Sequence, residues 1–111
     1  MGGLRLTPVT PTRVYDTRNG IGTTAGLVRA ATSRVIDVQR PAPEVKAVLA
    51  NVTLAGAQGL GFAQAWPTRT RRPSTSVINS TQGGEVVANS VVLPVADDGT
   101  IIVGTSVTTH L

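Results

Sequence analysis

Few side chains in this sequence have the type and spacing that chemistry needs. His110 is the sole histidine. As a general base it would need a serine nucleophile and an orienting carboxylate, and no G-x-S-x-G elbow accompanies it. It reads instead as a polar residue on a terminal strand. The carboxylates are Asp16, Asp37, Glu44, Glu85, Asp97 and Asp98. Glycoside hydrolysis would require two of them facing each other across a cleft. Asp97 and Asp98, however, stand in a turn-forming run where Asp is common for backbone reasons. With no cysteine and one histidine there is no zinc ligand set, and no EF-hand spacing offers a calcium loop. Gly56-Ala57-Gln58-Gly59-Leu60-Gly61 looks like a phosphate loop but lacks the P-loop lysine and opens no helix. The expectation is a chain that is not an enzyme and holds no cofactor or metal.

Charge offers binding rather than catalysis. The net charge is +4, and nine of the ten basic residues are arginine. They are spread along the chain except in Thr68-Arg69-Thr70-Arg71-Arg72-Pro73. That loop could meet phosphates, but Tyr15, Phe62 and Trp66 are the only aromatics, too few for the stacking platforms of single-strand binders. No recognition helix is visible either, so nucleic acid is not the expected partner. Arginine's fork suits carboxylates on a protein surface better, and Arg69, Arg71 and Arg72 are candidate partner-binding residues. A second constellation is Arg13-Val14-Tyr15-Asp16-Thr17-Arg18. Two arginines flanking an aspartate predict a structural ion pair of Arg13 and Arg18 with Asp16, pinning the turn that follows.

The elements that must carry these groups are strands. Val, Thr and Ile supply 37 of 111 residues, and β-branched side chains favour pleated sheets. Only 14% of residues are charged, against about 25% in ordinary proteins, which excludes a disordered tail. No apolar run approaches a membrane span. Strands are expected at Arg13–Asp16, Ser33–Val38, Ala47–Leu54, Gly61–Trp66, Ser76–Ser80, within Val86–Val95, at Ile101–Val103 and at Val107–Leu111. Ala47–Leu54 has the cleanest period of two: Val48, Ala50, Val52 and Leu54 face one way, and Leu49, Asn51 and Thr53 the other. Asn51-Val52-Thr53 fits a glycosylation sequon but lies mid-strand. Asn19-Gly20-Ile21-Gly22 and Gln82-Gly83-Gly84 read as turns. Asn89-Ser90 and Pro94 interrupt the Val86–Val95 stretch, and Asp97-Asp98-Gly99 is a hairpin signal joining it to Ile101–Val103. The fold class is all-β, an antiparallel β-sandwich or jelly-roll-like barrel of about eight short strands. An extended N-terminal arm (1–12) leads into a single β domain (13–111).

The motifs resemble a known module. Pro11-Thr12-Arg13-Val14-Tyr15-Asp16-Thr17-Arg18 with Gly20 and Gly22 resembles the opening of a β-rich module of actinobacterial surface proteins and their phages. Asn51-Val52-Thr53, Gly61, Trp66-Pro67, Arg72-Pro73, Ser76, Asn79, Ala88-Asn89, Pro94-Val95, Asp98-Gly99 and Thr109-His110 follow in order, so the likeness runs from about Leu6 to Leu111. The Asp-Thr-Arg block is its distinctive part, and the later matches are individually ordinary. The resemblance implies a non-catalytic, accessory or structural role.

The module usually continues past the histidine strand with a hydrophobic-Asp-hydrophobic segment. This chain stops at Leu111, so a sheet edge is expected to be left for a neighbour. It opens on Met1-Gly2-Gly3-Leu4-Arg5 without the apolar stretch of an export signal. This favours a virion component over a wall anchor. The resulting expectation is a capsid decoration protein on the virion surface of an actinobacteriophage. Its partners would be the major capsid protein or other virion subunits, and it would form a symmetric homo-oligomer, by analogy a trimer. Contacts are expected from Leu4, Arg5 and Leu6 in the N-terminal lead and from the Arg69–Arg72 loop. The rival is a carbohydrate or cell-wall binding module acting outside the cell, with Trp66 and Tyr15 as its sugar platforms.

Overall fold

A computed structural model of the chain describes residues 12–40, 42–71, 78–84 and 86–111. The described residues form an all-β sandwich of two antiparallel sheets. In chain order the strands are β1 (Thr32–Asp37), β2 (Ala47–Ala55), β3 (Gly61–Pro67), β4 (Ile78–Ser80), β5 (Val86–Pro94) and β6 (Thr100–Thr105). One sheet has the order β1-β6-β3-β4, and the other is β2 paired with β5 alone. The core lies between them. Ile36, Ala63, Ile78, Ile101 and Val103 come from the first sheet, and Leu54 and Leu93 from the second. Val48, Ala50 and Val52 pack against this cluster from β2, so the period of two in that strand sets which face is buried.

Among the described residues the strand count is six rather than about eight. Arg13–Asp16 is not a strand; it contributes one bridge, Asp16 to Ile21. The cause is local, because Asp16 turns its carboxylate onto Arg18 and its carbonyl onto Gly20 and Ile21, which folds the chain back immediately. Gly22 closes that turn at a φ of 69°, where a Cβ would stand 2.3 Å from the Val14 carbonyl oxygen; only glycine fits there. Val107–Leu111 likewise forms no ladder. Thr109 bridges Val28 and His110 bridges Ala55, so its neighbour changes at each step.

Two further expectations are corrected. Asn89-Ser90 does not interrupt β5, which runs unbroken through that pair and stops at Pro94. Ser90 is on the outer surface, where its hydroxyl donates to Asn51 Oδ1 at 2.7 Å. Pro94 ends a strand whose other side carries no ladder among the described residues, where its missing N–H costs no ladder bond. Asp97-Asp98-Gly99 does turn the chain, with Gly99 N–H donating to the Ala96 carbonyl at 2.8 Å and Ala96 N–H to that of Thr100 at 3.0 Å. It is no hairpin, however. The strands it joins, β5 and β6, belong to different sheets, so the turn is a corner of the sandwich. Its tightness comes from Asp98, whose carboxylate accepts from the Thr100 N–H at 3.1 Å.

Candidate interaction surfaces

The Arg13–Arg18 block forms a polar knot. Asp16 is buried, and its carboxylate accepts from Arg13 at 3.0 Å, from the Arg18 guanidinium at 3.1 Å and from the Arg18 backbone N–H at 2.9 Å. The side-chain hydrogen bond from Arg18, then that residue's backbone N–H, hold the Asp16 pKa at about 2. Asp16 in turn raises the Arg18 pKa.

Between these charges sits Thr17, fully buried. Its N–H donates to the Leu111 carbonyl at 3.0 Å, and its hydroxyl accepts from Leu111 N–H at 2.9 Å and lies 3.0 Å from His110 Nδ1. The knot thus ties the first turn to the last residues. His110 is part of this internal network rather than an exposed base. Thr17 is the residue that the sequence reading missed, because its partners lie more than 90 positions away.

The arginine loop has a different character. Arg69 sits just after β3 at a φ of 63° and pairs with Asp98 at 3.3 Å, both side chains largely exposed. An exposed pair of this kind contributes about 0–1 kcal/mol. Arg71 is exposed. Leu4, Arg5, Leu6 and Arg72, together with the arm up to residue 11, lie outside the described residues. A shallow cleft of about 290 Å³ opens beside this loop between Asp37, Arg40, Pro43 and Asp98. Arg40 is committed within the fold, donating to the carbonyls of Val45 and Asp97.

Neither aromatic candidate presents a face for sugar stacking. Trp66 is 8% exposed, and Tyr15 packs on the core cluster. Among the described residues no group of three or more potential metal ligands comes together, and no helix is long and apolar enough to cross a membrane.

The least ordinary surface is the outer face of the β2–β5 sheet. Each strand is nine residues long and carries no charged side chain. Leu49 and Val92 stand directly opposite each other on that face, 60% and 64% exposed, with Ala47 and Pro94 the next outward pair; exposed Val86 lies at the other end of β5, beyond the Asn51–Ser90 pair. Leaving such side chains in water forgoes up to roughly 1.5–3 kcal/mol apiece relative to burial, which makes the Leu49–Val92 pair the part of this face suited to a contact. No family model, curated protein or solved structure matches the chain.

Proposed function

We propose that this chain is a non-enzymatic structural protein of a phage virion, a decoration protein that cements the capsid of an actinobacteriophage. The observation that carries an assembly role is the uncharged, exposed face of the β2–β5 sheet, which a solitary domain would have reason to cover. Three of the groups a catalyst could draw on are engaged within the fold: Asp16 with two arginines, His110 with Thr17, and Asp98 with Thr100. The resemblance of the Asp-Thr-Arg block to modules of actinobacterial surface proteins and their phages is what supports a virion setting for that assembly. Bound copies would stabilise the shell by mass action, since a ligand of the assembled lattice alone shifts the equilibrium toward it. The exposed Arg69 and Arg71 supply cations for an acidic shell surface.

The test incubates the purified chain with undecorated actinobacteriophage shells and, in parallel, with purified actinobacterial cell walls. Saturable co-sedimentation with shells, and a higher temperature of shell disruption, is the expected result. Binding to walls and not to shells would replace this reading with the carbohydrate-binding one.

A further inference from the structure

Along most of its outer edge, the backbone of β2 meets no partner among the described residues. Ala55 exchanges both backbone hydrogen bonds with His110, at 3.1 and 3.0 Å. It therefore forms the non-hydrogen-bonded kind of pair with Val86, its partner on β5. By the alternation of an antiparallel ladder, Thr53, Asn51, Leu49 and Ala47 also turn their N–H and C=O groups away from β5. Lys46 fixes the same parity from the other end, its carbonyl accepting from Val95 N–H at 2.9 Å on the β5 side. His110 takes the outer edge only at its Ala55 end. From Thr53 to Ala47 no described residue pairs with it.

We infer that this edge pairs with the same edge of a second copy, antiparallel about a two-fold axis through Leu49, making one continuous sheet β5-β2-β2′-β5′. This deepens, and rests on, the reading of the β2–β5 sheet as an assembly surface. Three observations select a second copy. First, the groups available are the odd-numbered ones, and a two-fold at Leu49 places odd against odd: Ala47 on Asn51′, Leu49 on Leu49′, Asn51 on Ala47′. Second, because Val92 lies opposite Leu49 within each copy, the same axis aligns Val92, Leu49, Leu49′ and Val92′ in one apolar row across the joined sheet. Cross-strand rows of this kind are what stabilises sheets. Third, each copy carries a net charge of +4, and β2 and β5 bring no charge to the contact. The joined surface is small. About five paired residues span ~17 Å of a layer ~10 Å thick, well short of the ~800 Å² per partner of a standard interface. The pair is accordingly weak and reversible in solution, and it gains strength where a lattice holds copies side by side. The axis is two-fold, unlike the trimer expected by analogy.

Sedimentation of the whole chain, from ~10 μM to ~1 mM to cover a weak dissociation constant, reads the pairing without any shell. The wild type is expected to pass from monomer to dimer across that range. Leu49→Lys, which sets like charges opposite each other, and Asn51→Pro, which removes an outward N–H without touching the β5 ladder, should each weaken the dimer at least ~10-fold. Val35→Lys, on the exposed face of β1, should leave it unchanged. A single cysteine at Leu49 should crosslink to itself through a short bismaleimide, and one at Val35 should not; the wild type has no cysteine to interfere. The inference is overturned by a monomer at every concentration, by a dimer that survives both β2 variants, or by equal crosslinking from both positions. Shell binding by a chain that stays monomeric would sink the pairing and leave the decoration reading standing.

Discussion

Along β1, the outer strand of the four-stranded sheet, stand Arg34 and Asp37. Charged side chains are one of the ways natural sheets keep their edges from pairing with other chains. In the other sheet, β2 and β5 run nine residues each without a charge, and both are edges. The contrast is informative because both sheets draw on the same small aliphatic residues and share one core. One sheet carries charge on its outer strand, and the other presents two strands without any; on the proposed reading, the uncharged sheet is the surface that an assembly completes.

The largest effect expected from breaking this contrast is at Leu54, fully buried where β2 meets the core. Among the described residues the β2–β5 sheet has no third strand, and its contribution to the core comes through Leu54, Leu93 and the valines beside them. Leu54→Ala should cost about 2–5 kcal/mol in denaturant unfolding. Hydrogen exchange should show protection lost first in β2 and β5, with β3 and β6 protected longer. Equal loss in both sheets would mean that the sandwich opens as one unit.

A smaller effect is expected at Thr17, where the polar knot, not the core, joins the chain's first turn to Leu111 and, through His110, to the edge of β2. Thr17→Val keeps the shape and removes the hydroxyl, leaving the Leu111 N–H without its acceptor. The expected cost is about 2 kcal/mol, with Thr17→Ser retaining most of the stability. If serine and valine cost the same, the hydroxyl contributes nothing and packing alone is being measured.

What the sequence made legible follows the range of the interactions. β1, β2 and β3 were readable because one face of each is buried, which writes a period of two into neighbouring residues. The Arg13–Asp16–Arg18 ion pair was readable because its members are at most three residues from the aspartate. Thr17 was not readable, since nothing local distinguishes a threonine that caps the far end of the chain. The corner at Asp98 shows the same limit. Asp-Gly announces a tight turn, but whether the strands on either side pair depends on β1 and β3 having claimed β6. Leu49 could be placed on the outer face of its strand from alternation. Its meeting with Val92, which turns an exposed leucine into part of a surface, needed the register of β2 on β5.

The mildest perturbation separates the knot from both sheets by pH. Asp16 titrates at about 2 in the folded chain against an ordinary 3.8. Its folded pKa is depressed, so the unfolded chain binds its proton first as pH falls. The stabilisation is therefore fully present above about pH 4 and lost as the pH falls through about 2. Asp98 is shifted in the same direction by the Thr100 hydroxyl, with help from Arg69, so its contribution has the same sign. The melting temperature should be flat near neutral pH and drop below about pH 4. Asp16→Asn should remove part of that acid slope and leave the β2–β5 contact untouched, with dimerisation at neutral pH unchanged. An acid slope identical in Asp16→Asn and the wild type would move its origin elsewhere, with Asp98→Asn the next variant to measure. Loss of dimerisation in Asp16→Asn would show instead that the knot positions the edge of β2 through His110.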